Sequence, residues 1–127
     1  MENSSVSQEE IREMDNYLKG YRLNQRLLRM DRYERAYLGG EDNEDDVPGE
    51  LPLARARMFE VRQFIMGMKN SDEKLLLYYH YIKGESVEKC AELLGIARSS
   101  GFRLKKRGLR CAVLYQKQKE MKEGNAR

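Results

Sequence analysis

Eight side chains between positions 98 and 110 carry the densest chemistry in this sequence: Arg98, Ser99, Ser100, Phe102, Arg103, Lys106, Arg107 and Arg110. On a helix they share one face. The opposite stripe is Gly101, Leu104, Gly108, Cys111 or Ala112, and Tyr115, in steps of three and four. Arginines at the start of such a helix can form paired hydrogen bonds to guanine, and serines and lysines reach phosphates and base edges. A basic amphipathic helix alone also suits a membrane surface, a calmodulin-type partner or plain solvated surface. The segment before it narrows the choice.

That segment, Ser86 to Gly95, reads as a short capped helix. Ser86 is the cap, Glu88 sits near the helix dipole, and Val87, Cys90 or Ala91, and Leu94 form the inner stripe. Ala91 is small enough for a close helix crossing. Gly95 ends the helix in the left-handed conformation that glycine adopts cheaply. Ile96 then plugs the core. Capped helix, small residue, Leu-Leu-Gly-Ile turn and basic helix together predict a helix-turn-helix that lays its second helix in the DNA major groove. An ordinary helical hairpin with a solvated basic face is the competing reading.

Charge supports a polyanionic partner met at one place. Residues 98–127 carry ten bases and two acids, whereas 41–50 carry six acids and no base. The remaining residues are nearly neutral. No basic-then-apolar leader opens the chain, and no run approaches 18 apolar residues, so neither a signal peptide nor a membrane span is expected. The expected location is the cytoplasm. Cys90 and Cys111 are too few for a disulfide scaffold and are expected to be reduced and buried.

Catalysis has no visible machinery. His80 is the only histidine, no nucleophile–base–orienter set accompanies it, and no glycine-rich phosphate loop exists. The expectation is a protein that is not an enzyme and holds no cofactor and no metal. His80 lacks partners at zinc-ligand spacing, and the acids of 39–50 lack the register of a calcium loop.

The elements that must position the basic helix read as follows. A helix covers about 8–38, capped by Ser7, with apolar residues at Ile11, Met14, Leu18, Tyr21, Leu28 and Met30 and with Tyr17, Leu27 and Tyr33 beside them; Gly20 is a weak point where it can kink or split. Residues 39–50 form an acidic linker. A second helix covers 53–69, with Leu53, Ala56, Phe59 or Val61, Phe64, Ile65 and Met68 inward. A third covers 72–83, capped by Ser71, with Leu75, Leu76, Tyr79 and Ile82 inward and Tyr78 and His80 outward. Gly84 stops it. The expected fold is all-α: an N-terminal antiparallel helical hairpin (1–69), for oligomerisation or partner contact, followed by a three-helix helix-turn-helix DNA-binding unit (70–127).

The stretch from Asp72 to Leu109 resembles the C-terminal DNA-binding region of bacterial sigma factors. It is more similar still to small phage and prophage regulators of the ArpU/RinA type. Tyr81, Ile82, Gly84, Ser86, Glu88, Ala91, Leu94, Gly95, Ile96, Arg98, Ser99, Arg103, Leu104, Lys106 and Arg107 fit that line, over about a third of the chain. The resemblance implies sequence-specific binding of double-stranded DNA and transcription control in a bacterial host. Arg98, Ser99, Ser100, Phe102 and Arg103 would then face bases, with Lys105, Lys106, Arg107 and Arg110 on phosphates. The N-terminal hairpin would form a homodimer or higher homo-oligomer, or contact RNA polymerase. A small terminase-like packaging protein and a DNA-free interaction protein are the alternatives. Two departures stand out: Ala97 replaces a capping Ser or Thr, and Gly101 replaces an apolar residue. Each costs about 1 kcal/mol, which predicts a soft start to the basic helix.

Overall fold

The computed structural model describes residues 6–37 and 50–125, all in helices and short turns with no strand among them. The acidic segment 39–50 lies outside the described residues except for Glu50. Five helices follow one another: α1 (Gln8–Tyr37), α2 (Glu50–Met66), α3 (Ser71–Leu77), α4 (Val87–Leu94) and α5 (Arg98–Asn125). A π-helical turn, Tyr78–Ile82, continues α3. No described helix is long and apolar enough to cross a membrane.

α1 begins in a capping box. The Glu10 amide donates to Ser7 Oγ at 3.1 Å, and the Ser7 amide donates to Glu10 Oε1 at 2.9 Å. The helix runs unbroken through Gly20, whose carbonyl accepts from Asn24 Nδ2 at 2.7 Å. Asn24 is thereby satisfied inside the buried stripe Met14, Leu18 and Tyr21. Of the apolar residues on α1, Met30 lies on the opposite face from that stripe, because the helical period places Leu28 beneath the stripe and Met30 half a turn away. In α2, Val61, Phe64, Ile65 and Met68 point inward as expected. Counting back from them brings Ala54 inside and leaves Leu53, Ala56 and Phe59 exposed.

The third helix departs furthest from its expected pattern. Asn70, not Ser71, is its N-cap residue, and no side chain caps it. Leu76, Leu77, Tyr81 and Ile82 are buried, whereas Leu75 is exposed and Tyr79 only half-buried. Leu76, Leu77 and Tyr81 keep ordinary helical spacing, and the face they share leaves Leu75 and Tyr79 to one side. The Lys83 amide bonds back to Tyr78 rather than Tyr79, and across that wider turn Ile82 joins the inner face five residues after Leu77. His80 is half-buried rather than outward.

The core draws on both sides of residue 70. Met14, Leu18, Val61, Phe64, Ile65 and Met68 form one buried cluster with Leu76, Leu77, Tyr81, Leu104, Leu109, Ala112 and Val113. α1 and α2 pack side by side, and α3 and α4 pack against α5. Two glycines set how closely α5 approaches. A Cβ on Gly108 would meet Leu77 at 3.2 Å, and one on Gly101 would meet the Ala91 Cβ at 2.9 Å. Cys90 is buried and Cys111 half-buried, and both are free thiols whose pKa burial pushes up.

Candidate nucleic-acid interface

The approach to α5 is built by α4. Ser86 is extended (φ −65°, ψ 159°) and its Oγ accepts from the Lys89 amide at 3.1 Å. Gly95 is left-handed at φ 71°. The Ile96 amide reaches the Ala91 carbonyl at 2.9 Å and the Gly95 amide reaches Glu92 at 3.1 Å. These are the two bonds of a Schellman cap, and they fix the angle at which the chain leaves α4. α5 starts one residue after Ala97, whose carbonyl accepts from the Gly101 amide at 3.0 Å. Gly101 is buried against Ala91 and Val87. The position that sequence pattern marks as a defect is therefore one where the two helices press tightly together, and a larger side chain would separate them.

α5 presents its cations unevenly. Arg103, Lys106, Arg107 and Arg110 line one cleft, bordered by Gln8 and Ile11 from the start of α1. Ser99, Phe102 and Arg103 are exposed on the first turns, which leaves that end of the helix the more open. Ser100 is half-buried in a hollow with Asp72, Leu94, Ile96, Arg103 and Arg107. Arg98 extends toward Glu88 of α4, at 3.9 Å, and Arg107 toward Glu73 of α3, at 3.6 Å. Both guanidiniums are well exposed, so these ion pairs are weak and either arginine can exchange its carboxylate for another anion.

Lys105 stands apart from the other eight. It lies between the buried positions 101, 104, 108 and 109, is half-buried, and reaches over the Tyr81 ring, 6.0 Å from its centroid. That side of α5 faces the π turn and not the basic cleft. Gln8 and Ile11, by contrast, come to the cleft from another helix. Nothing in the local pattern of α1 signals that its first turn borders the cleft on α5.

A polar cluster behind the cleft ties α1 to the π turn. The Tyr81 hydroxyl donates to Asp15 Oδ1, and Asp15 Oδ2 pairs with Lys19 at 2.9 Å. Burial pushes the Asp15 carboxyl up, but the Tyr81 hydroxyl and the Lys19 ammonium outweigh it and hold its pKa below the ordinary value. Burial and the Asp15 carboxylate push the Tyr81 phenol far up. His80 Nδ1 lies 2.7 Å from the Glu85 carbonyl, so Nδ1 carries the proton and donates. Burial lowers the His80 pKa below its ordinary 6.5 despite that bond.

A pH dependence follows from His80. With the folded pKa below the unfolded one, the unfolded chain takes up the proton first as pH falls through 6.5. Stability is therefore full above that pH and declines as pH drops toward the folded pKa. The melting temperature is expected to fall between pH 7 and pH 5, and His80→Gln is expected to flatten that fall. An unchanged slope in the variant would remove His80 as its cause.

The described residues hold no group of three or more His, Cys, Asp or Glu side chains able to bind a metal ion. No family model, curated protein or solved structure matches the chain.

Proposed function

We propose that this protein is a sequence-specific DNA-binding transcriptional regulator of a phage or prophage. α3 to α5 form a helix-turn-helix unit on an antiparallel α1–α2 hairpin, and α5 enters the major groove. The observation that carries the reading is the joint between α4 and α5. Ser86, Gly95 and the Ala91–Gly101 crossing hold α5 at a fixed angle, with Ser99, Phe102 and Arg103 exposed on its first turns. Cations are concentrated on the same face one and two turns later. Such an arrangement suits base contacts at the helix start and phosphate contacts beyond it. Arg98, Ser99, Phe102 and Arg103 are the base-reading candidates, with Ser100 at the edge of the groove; Lys106, Arg107 and Arg110 are the phosphate contacts. Lys105 drops out of the phosphate set in this reading because it faces the π turn.

The test is titration of labelled duplex DNA of mixed sequence with the full chain at low salt. Binding that weakens linearly in log–log salt is expected. No binding at low salt would favour a helical interaction protein instead. A packaging protein using the same unit remains the second reading on function, and a ring-shaped assembly in light scattering would favour it.

A further inference from the structure

The outer face of α1 changes character along its length. Near the start it is polar, with Arg12, Asn16 and Lys19. From residue 23 onward it is apolar: Leu23, Leu27, Met30, Tyr33 and Tyr37 recur in steps of four, three, three and four, on the side away from the buried Leu18, Tyr21 and Asn24. None is covered by the fold; Met30 is 62% exposed and Tyr37 73% exposed. The Tyr33 and Tyr37 rings lie against each other, 4.7 Å between centroids. A contiguous apolar stripe of this kind on a charged helix is a docking surface rather than scattered exposure.

The flanking charges identify what docks there. With Leu23, Met30 and Tyr37 seven residues apart at one seam position and Tyr33 at the other, Arg22 and Arg29 fall on one flank and Leu27 and Glu34 on the other. In a parallel pair of such helices, the first flank of one chain meets the second flank of its partner five residues further on. Arg29 and Glu34 are five residues apart. A parallel partner identical to this helix therefore brings Arg29 of each chain to Glu34 of the other, and Arg22 to Leu27. An antiparallel partner would bring arginine flank against arginine flank. Arg26 is the one polar residue inside the seam. A single such position fixes register at some cost in stability, and its long stem can lie along the apolar stripe with the charge at the edge.

We propose that this face of α1 binds a second copy of the chain in parallel, forming a two-fold dimer through Leu23, Met30, Tyr33 and Tyr37, with Arg29–Glu34 pairs across the seam. The seam rests on α1 alone and is independent of any DNA contact. Its consequence for the function proposed above is geometric, since a parallel pair carries two copies of α5 at the same end, as a two-fold operator requires.

The experiment is sedimentation of the full chain without DNA over a concentration series. A monomer–dimer equilibrium is expected, abolished by Met30→Glu with the circular dichroism unchanged. Arg29→Glu is expected to weaken the dimer about tenfold by turning two attractive pairs into repulsive ones. Adding Glu34→Arg to it is expected to restore the dimer. Under mild oxidation, Leu23→Cys is expected to link to itself above the background that Cys90 and Cys111 give in the parent chain. A monomer at the highest soluble concentration would overturn the proposal. So would a dimer indifferent to Met30→Glu, a charge swap that fails to restore it, or a Leu23→Cys chain that links only to Tyr37→Cys. Because DNA is absent throughout, failure here leaves the DNA-binding reading standing, and failure of DNA binding leaves the dimer standing.

Discussion

Gly101→Leu is expected to destabilise the protein by about 2 kcal/mol and lower its melting temperature by about 8 °C. The Cβ alone would sit 2.9 Å from the Ala91 Cβ, on a residue with no flexible end to move aside. Forcing the crossing apart should cost about 3 kcal/mol, near the upper end for overpacking. Removing glycine from a helix interior returns about 1 kcal/mol. The sign of the net effect is informative. A soft, unpacked start to α5 would make the same substitution stabilising, because only the propensity term would remain. Thermal denaturation of Gly101→Leu therefore decides between the packed crossing and the soft start. The pair Gly101→Ala with Ala91→Gly provides the complementary check, since moving the missing methyl from one helix to the other should restore most of what Gly101→Ala loses.

The second large effect concerns DNA. Replacing Lys106, Arg107 and Arg110 together by alanine is expected to flatten the log–log salt dependence by about 2.7 units, at roughly 0.9 per phosphate contact. At 0.1 M salt that corresponds to a loss of at least about a hundredfold in affinity for any duplex. Arg103→Ala should behave differently. It should cost about 1–3 kcal/mol on the specific site and far less on random DNA, because a paired contact to a base edge discriminates and a phosphate contact does not. Equal losses on both would make Arg103 a phosphate clamp. Arg107 also pairs with Glu73, so the triple variant needs a circular dichroism control before its affinity is compared.

The parts of this fold that were legible in the sequence are those governed by local rules. Ser86 caps and Gly95 turns left-handed because each position has few chemical solutions. Ser7 caps α1 from its place before the helical pattern, and the structure adds the reciprocal bond from Glu10. Leu104 and Ala112 are inside because α5 keeps a regular period. The misplacements arise where the period changes or where packing selects among faces. Leu75 and Tyr79 fall outside because the run Leu75–Leu77 offers two neighbouring faces, and packing selects the one shared by Leu76, Leu77 and Tyr81. Met30 shares the apolar pattern of α1 but not its buried face, because apolar residues occupy two faces of the helix and sequence does not say which one meets α2.

The candidate site divides the same way. Arg103, Lys106, Arg107 and Arg110 share a face by periodicity, and the structure brings them to one cleft. Lys105 belongs to the same run of basic residues, but helical spacing already leaves it off that face, and the structure turns it to the Tyr81 ring instead of a phosphate-facing position. Gly101 reads as a defect in one dimension because its purpose, room for Ala91, lies on another helix. Gln8 and Ile11 reach the cleft through the way α1 crosses α5, which no local pattern encodes.

Base reading by α5 is tested most directly by selecting bound sequences from a pool of random duplex DNA with the full chain. A defined consensus is expected, with its strongest positions lost when Arg103→Ala is used in place of the parent chain. A selected pool no different from the starting pool would contradict it.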